Sequence, residues 1–263
     1  MKAEEVGEGH TACTAVGMSF LGKITVAILL TLFAGTSWAE PVSVLFVGNS
    51  LTQVNDLPGV FKHFAEESTL HPTVEISSVT PGGAFLFDHW KHGQAVAMLR
   101  DKRPNFLVLQ GQSTEPLSAR ESFSRCAALF KAEADRAGAV TVMFATWARP
   151  ATDPYYQQPT SGGSPGAMQA GLDSAYAHVA KDIGARLAPV GAAFERVQAD
   201  LPKIRLLDGT QHPSPAGTYL AAAVLFRTIF DSPVESKYHG ALPAELAAKL
   251  QRAAGEVPVS ASP

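Results

Sequence analysis

The chain has 263 residues, with 21 basic against 24 acidic side chains and a net charge of −3. That near balance excludes the strongly basic surface by which proteins hold nucleic acid. Two cysteines, Cys13 and Cys126, exclude a disulfide-stapled scaffold.

In chain order, the first segment stands apart. Residues 24–35 read ITVAILLTLFAG, an apolar run preceded by Lys23 and followed by the small-x-small site Ser37-Trp38-Ala39. A spanning helix needs roughly 20 apolar residues, so the run fits a signal peptide cleaved after Ala39 better than a membrane anchor. Glu4, Glu5 and Glu8 are out of place in a positively charged leader, which makes Met18 an alternative start. The expectation is therefore a signal peptide over 1–39, export to a periplasm or beyond, and no stable membrane span after cleavage. The remaining 224 residues, 40–263, suit one domain with a single sizeable core. They retain only Cys126, in an alanine-rich helical stretch where it reads as a small core residue.

From Val42 onward, short runs of branched apolar residues alternate with stretches of helical period. The expected strands are Val42–Val47, Thr73–Val79, Phe106–Gln110, Val140–Ala145 and Arg186–Val190. The expected helices are Leu57–Ser68, Phe87–Arg100, Ala119–Ala137, Met168–Ile183, Ala192–Ala199, Pro215–Ile229 and Pro243–Ala254. Repeated βαβ units of this kind make a three-layer α/β/α domain on a five-stranded parallel sheet, with a flavodoxin-like order leading. Ligands in such folds bind beyond the carboxyl ends of the strands. Two connections, Trp147–Ala167 and Pro202–Ser214, are longer than the geometry needs, as functional loops often are.

Two segments at that edge carry chemistry. The first strand runs into Gly48-Asn49-Ser50-Leu51-Thr52, where a serine after a glycine can present its hydroxyl among backbone N–H groups. Asp208-Gly209-Thr210-Gln211-His212-Pro213 follows the last strand and precedes a helix. A histidine there can serve as the base that a serine nucleophile needs, with Asp208 the local candidate to orient it. Asp88 and His92, four apart on an expected helix, read as an ordinary exposed pair, and neither metal nor cofactor is expected. Tyr155, in Pro154-Tyr155-Tyr156, is either a sugar-stacking platform or a pin for its own loop.

Over most of residues 40–263 these segments resemble the four blocks of the SGNH or GDSL-like hydrolases. Gly48-Asn49-Ser50-Leu51 matches the first block, Pro81-Gly82-Gly83-Ala84 the second, and Asp208 to His212 the last. The resemblance implies Ser50 as nucleophile, His212 as base, Asp208 as its orienting acid, and the N–H groups of Ser50 and Gly83 as oxyanion donors. The third block departs: Gln110-Gly111-Gln112 stands where Gly-x-Asn is usual, so a glutamine amide, Gln112 ahead of Gln110, would be the third donor. Three residues instead of two separate Asp208 from His212. Either a bulged turn at Gly209 absorbs the extra residue, or the aspartate falls short and a backbone carbonyl orients the imidazole. Asn49, Gln110 and Tyr155 are the residues expected to meet substrate. The expected activity is hydrolysis of a small-molecule or carbohydrate ester, O-acetyl groups foremost. The alternatives are a thioesterase or lysophospholipase, and a carbohydrate-binding protein on a decayed hydrolase fold.

Overall fold

The computed structural model describes Glu40–Pro258; the expected signal segment, residues 1–39, lies outside the described residues, as do residues 259–263. Five strands, β1 (Val42–Val47), β2 (Val74–Val79), β3 (Phe106–Leu109), β4 (Val140–Phe144) and β5 (Arg186–Ala188), pair in parallel in the order β2-β1-β3-β4-β5. That is the flavodoxin-like arrangement expected from the alternation of elements. Among the described residues ten α-helices accompany them: α1 (Ser50–Gln53), α2 (Leu57–Glu66), α3 (Leu86–His92), α4 (Gln94–Lys102), α5 (Glu115–Ser118), α6 (Arg120–Ala137), α7 (Pro165–Ile183), α8 (Val190–Asp200), α9 (Pro215–Phe230) and α10 (Ala244–Glu256).

The strand period of two divides the apolar side chains between two cores. Val44, Phe46, Val108, Val142 and Phe144 pack toward α2, α8, α9 and α10. Leu45, Val47, Leu107, Leu109 and Met143 face the other way, toward α3, α4, α6 and α7. Helix α9 is apolar on every side and buried continuously from Ala216 to Phe226, as a helix enclosed by neighbours must be. Its Phe226 ring lies 5.2 Å from that of Phe64 on α2. Cys126 is a buried free thiol in the second core. Among the described residues no helix is long and apolar enough to cross a membrane.

Several boundaries differ from expectation for local reasons. The single helix expected over Phe87–Arg100 is two, because Gly93 caps α3 at φ 75° and its N–H closes on the His89 carbonyl. The last strand stops at Ala188, since Pro189 has no N–H for the ladder and Val190 already begins α8. Gln110 lies one residue beyond β3, although its N–H still bonds the Val47 carbonyl at 2.9 Å.

Candidate active site

At the carboxyl end of β1 the chain turns at once into α1, with Ser50 its first residue. Asn49 caps that turn: its Oδ1 accepts from the Leu51 N–H at 3.1 Å, and its Nδ2 donates to the Ala84 carbonyl at 3.0 Å. Beneath the serine, Gln110 Oε1 accepts from the Asn49 N–H and from the Thr52 hydroxyl, both at 2.9 Å, while its Nε2 donates to the Gly111 carbonyl. A side chain at position 48 would collide with this arrangement, because a Cβ there would lie 2.6 Å from both Gln110 Oε1 and Thr52 Oγ1. His89 Nε2 meets the Gly48 carbonyl at 2.7 Å. Burial lowers the pKa of that imidazole, so it stands neutral and donates its Nε2–H to the carbonyl.

Glu115 draws two further loops to this point. It is fully buried, and its carboxyl accepts from the Leu86 N–H at 3.1 Å and the Gln112 N–H at 2.9 Å. Burial pushes its pKa up to about 7, against the opposing pull of the two amides. The loop after β2 thereby sits beside the loop after β3. In the former, Pro81–Ala84 is a tight turn with Gly83 at φ 73°, a conformation glycine adopts without strain.

The second half of the site lies 162 residues away in sequence. His212 Nε2 is 3.0 Å from Ser50 Oγ, the contact that a serine nucleophile and its base require. Its loop is closed by an isolated bridge between Leu207 and Pro213 and by the Asp208 N–H donating to the His212 carbonyl at 3.1 Å. Trp147, just beyond β4, donates its indole N–H to the Gln211 carbonyl at 3.0 Å and stacks on Phe194 with ring centroids 4.3 Å apart. Asn55 Nδ2 donates to the Pro213 carbonyl at 2.8 Å and to the Thr218 hydroxyl at 2.9 Å, joining the serine segment to the histidine segment directly.

Several expected roles are corrected. The Asp208 carboxylate makes no hydrogen bond to the His212 ring: its Oδ1 accepts from the Thr210 N–H at 2.8 Å and the Thr210 hydroxyl at 2.7 Å. It is the Thr210 hydroxyl that lies 3.0 Å from His212 Nδ1, so neither the carboxylate nor a backbone carbonyl is the group that orients the ring. The Thr210 bond holds the Asp208 carboxyl below the usual carboxylate range. Asn49 and Gln110 are buried with their polar atoms engaged internally, so they build the cradle and do not face substrate. Tyr155 pins its own loop: its hydroxyl bonds Thr160 Oγ1 at 3.0 Å and the Arg149 guanidinium covers its ring at 5.3 Å. Asp88 Oδ2 accepts from the Phe85 N–H at 2.9 Å, an N-terminal helix contact.

Three donors remain. The N–H groups of Ser50 and Gly83 bond no acceptor among the described residues. Gln112 Oε1 accepts from the Thr114 N–H and hydroxyl at 2.7 and 2.9 Å, which leaves its Nε2 without a partner among the described residues.

No protein-family model matches the chain, and no curated protein does. Solved structures do. A candidate SGNH hydrolase of Slackia heliotrinireducens is 32% identical, with a TM-score of 0.61 and a match covering 72% of this chain and 100% of that one. A DUF4886 family protein of Bacteroides uniformis is 18% identical with a TM-score of 0.69, covering 82% and 94%. An acetylxylan esterase of Geobacillus stearothermophilus, solved as a catalytic mutant, shares the fold at 12% identity and a TM-score of 0.57, covering 74% and 97%. With a third of the Slackia residues retained over that protein's whole length, on a sheet edge that brings Ser50 to His212, this chain belongs to the SGNH hydrolase family.

Proposed function

We propose that the protein is an exported serine esterase that removes short acyl groups, O-acetyl foremost, from a carbohydrate. The observation that carries the reading is the 3.0 Å contact between Ser50 Oγ and His212 Nε2 at the carboxyl edge of the sheet. Ser50 Oγ attacks the acyl carbonyl while His212 Nε2 takes the hydroxyl proton. The same nitrogen then returns that proton to the departing alkoxide, leaving Ser50 acylated. Water deprotonated by His212 attacks the acyl-enzyme, the carboxylic acid leaves, and the serine recovers its proton. The free N–H groups of Ser50 and Gly83, with the Gln112 amide, are the donors for the oxyanion.

One observation favours a carbohydrate ester over a long acyl chain, the likeness in fold to an acetylxylan esterase. A cavity of about 520 Å³ lies beside the histidine loop at Gly209, with Arg149, Glu195 and Arg205 set among mainly apolar walls such as Phe194, Ile204 and Leu206. Export rests on the leader pattern of residues 1–39 and is tested by fractionating cells that express the full chain.

The activity is tested with p-nitrophenyl acetate and with acetylated xylo-oligosaccharides, beside Ser50→Ala. Acetate release that falls by about 10³-fold or more in the variant supports the reading. Equal rates in the two proteins, or a preference for long-chain over acetyl esters, would sink it.

A further inference from the structure

We infer that Thr210 is a positioning residue through which the Asp208 carboxylate acts on His212, an Asp-Thr-His series in place of a direct Asp-His pair. The inference rests on the reading of Ser50 and His212 as nucleophile and base, and it follows from counting protons. A threonine hydroxyl has one hydrogen to donate and two lone pairs to accept with. Thr210 Oγ1 has three neighbours: Asp208 Oδ1 at 2.7 Å, His212 Nδ1 at 3.0 Å and the His212 backbone N–H at 3.1 Å. An ionised carboxylate only accepts, so the hydroxyl proton goes to Asp208. Both lone pairs are then left for donors. The backbone N–H takes one, and the other requires that His212 Nδ1 carry a hydrogen.

The tautomer of the base is thereby set. With its hydrogen on Nδ1, the ring presents a bare Nε2 to Ser50 Oγ, the form that can take the serine proton. When Nε2 gains that proton, the imidazolium charge is answered along the chain of hydrogen bonds to Asp208. The carboxylate lies one hydroxyl farther away than in a direct pair, on an exposed loop, so its influence is weaker than that of a buried orienting acid. The added residue between Asp208 and His212 has a use on this account. Gly209, at φ 106°, lets Asp208 fold back onto Thr210, and Thr210 fills the gap that the longer spacing opens.

The test uses the purified full chain and p-nitrophenyl acetate, with Thr210→Val, Thr210→Ser, Asp208→Asn, the Thr210→Val/Asp208→Asn double variant and Ser50→Ala. Thr210→Val should lower kcat by about ten- to a hundredfold with KM changed less than about twofold. Thr210→Ser, which restores the hydroxyl alone, should recover most of that loss. The double variant should be about as slow as Thr210→Val, because a carboxylate cut off from its hydrogen-bonded route to His212 has little left to contribute. Three results would overturn the series: a kcat for Thr210→Val within about twofold of the parent, losses that multiply in the double variant, or a serine variant as slow as the valine one. A fall in thermal midpoint that tracks the loss of kcat would also overturn it, as the mark of a loop that has simply come apart. The parent reading fails separately: full activity in Ser50→Ala removes the nucleophile and the series with it, whereas a dead Ser50→Ala beside an unaffected Thr210→Val removes the series alone.

Discussion

The two halves of the candidate site are held in opposite ways. Ser50 rests on a buried frame in which Asn49, Thr52, His89, Gln110 and Glu115 hydrogen-bond to backbone or to one another. His212 sits on a loop whose Asp208, Gly209 and Thr210 are exposed, fastened by a few bonds from Trp147, Asn55 and its own turn. A buried polar group left unpaired costs far more than one at the surface, where water replaces the lost partner. Damage to the serine frame should therefore register as lost stability, and damage to the histidine loop as lost activity in a protein that stays folded.

The largest expected effect is that of Gln110→Ala. It strips the acceptor from the buried Asn49 N–H and Thr52 hydroxyl, and should cost about 2–4 kcal/mol in urea unfolding. A loss below about 1 kcal/mol would mean that water enters the frame, and the contrast would collapse.

Next is pH. Glu115 has its folded pKa raised from 4.5 to about 7, so the folded protein holds a proton there that the unfolded chain releases. Its contribution is fully present below pH 4.5 and is lost as pH rises through 7. Between about pH 5 and 7 this single group should remove on the order of 2 kcal/mol. Urea midpoints across that range should slope downward in the parent and flatten in Glu115→Gln. On the exposed side the sign reverses: the depressed carboxyl of Asp208 supports the fold above its ordinary range and stops doing so as acid protonates it.

Trp147→Phe is the mildest change. It keeps an aromatic face against Phe194 and loses only the bond to the Gln211 carbonyl. Stability should drop by about 1 kcal/mol while kcat falls about tenfold, since small displacements of a base are costly in rate. A large stability loss with normal turnover would invert the proposed division.

The layout of the sheet was legible because fully buried parallel strands must be runs such as VSVLFV and FLVL, and those runs were found within one or two residues of their ends. Ser50 and His212 could be singled out because each lies within three residues of a regular element at the ligand-binding edge, in segments that resemble the blocks of a known family. The supporting residues were less visible. Gln110 reads in sequence as a spare amide donor, and only the proximity of the Asn49 N–H turns its oxygen inward. Thr210 carries no mark in the sequence, because a hydroxyl's role depends on which acceptors and donors the loop brings within about 3 Å. His89, Trp147 and Glu115 escaped notice for the same reason. Glu115 alone left a hint, an acid in the otherwise uncharged stretch from Phe106 to Ala119.

The stacking of Trp147 on Phe194 has an optical consequence. Trp147 is 2% exposed and its indole N–H is tied to the histidine loop, so its emission should be blue-shifted and sensitive to whether that bond is intact. The other tryptophans are Trp38, within the expected leader, and Trp90, packed edge-on against Phe130 in the opposite layer. In a chain carrying Trp38→Phe and Trp90→Phe, one fluorophore would report on the histidine loop, and stopped-flow fluorescence would show whether that loop moves when an ester is added.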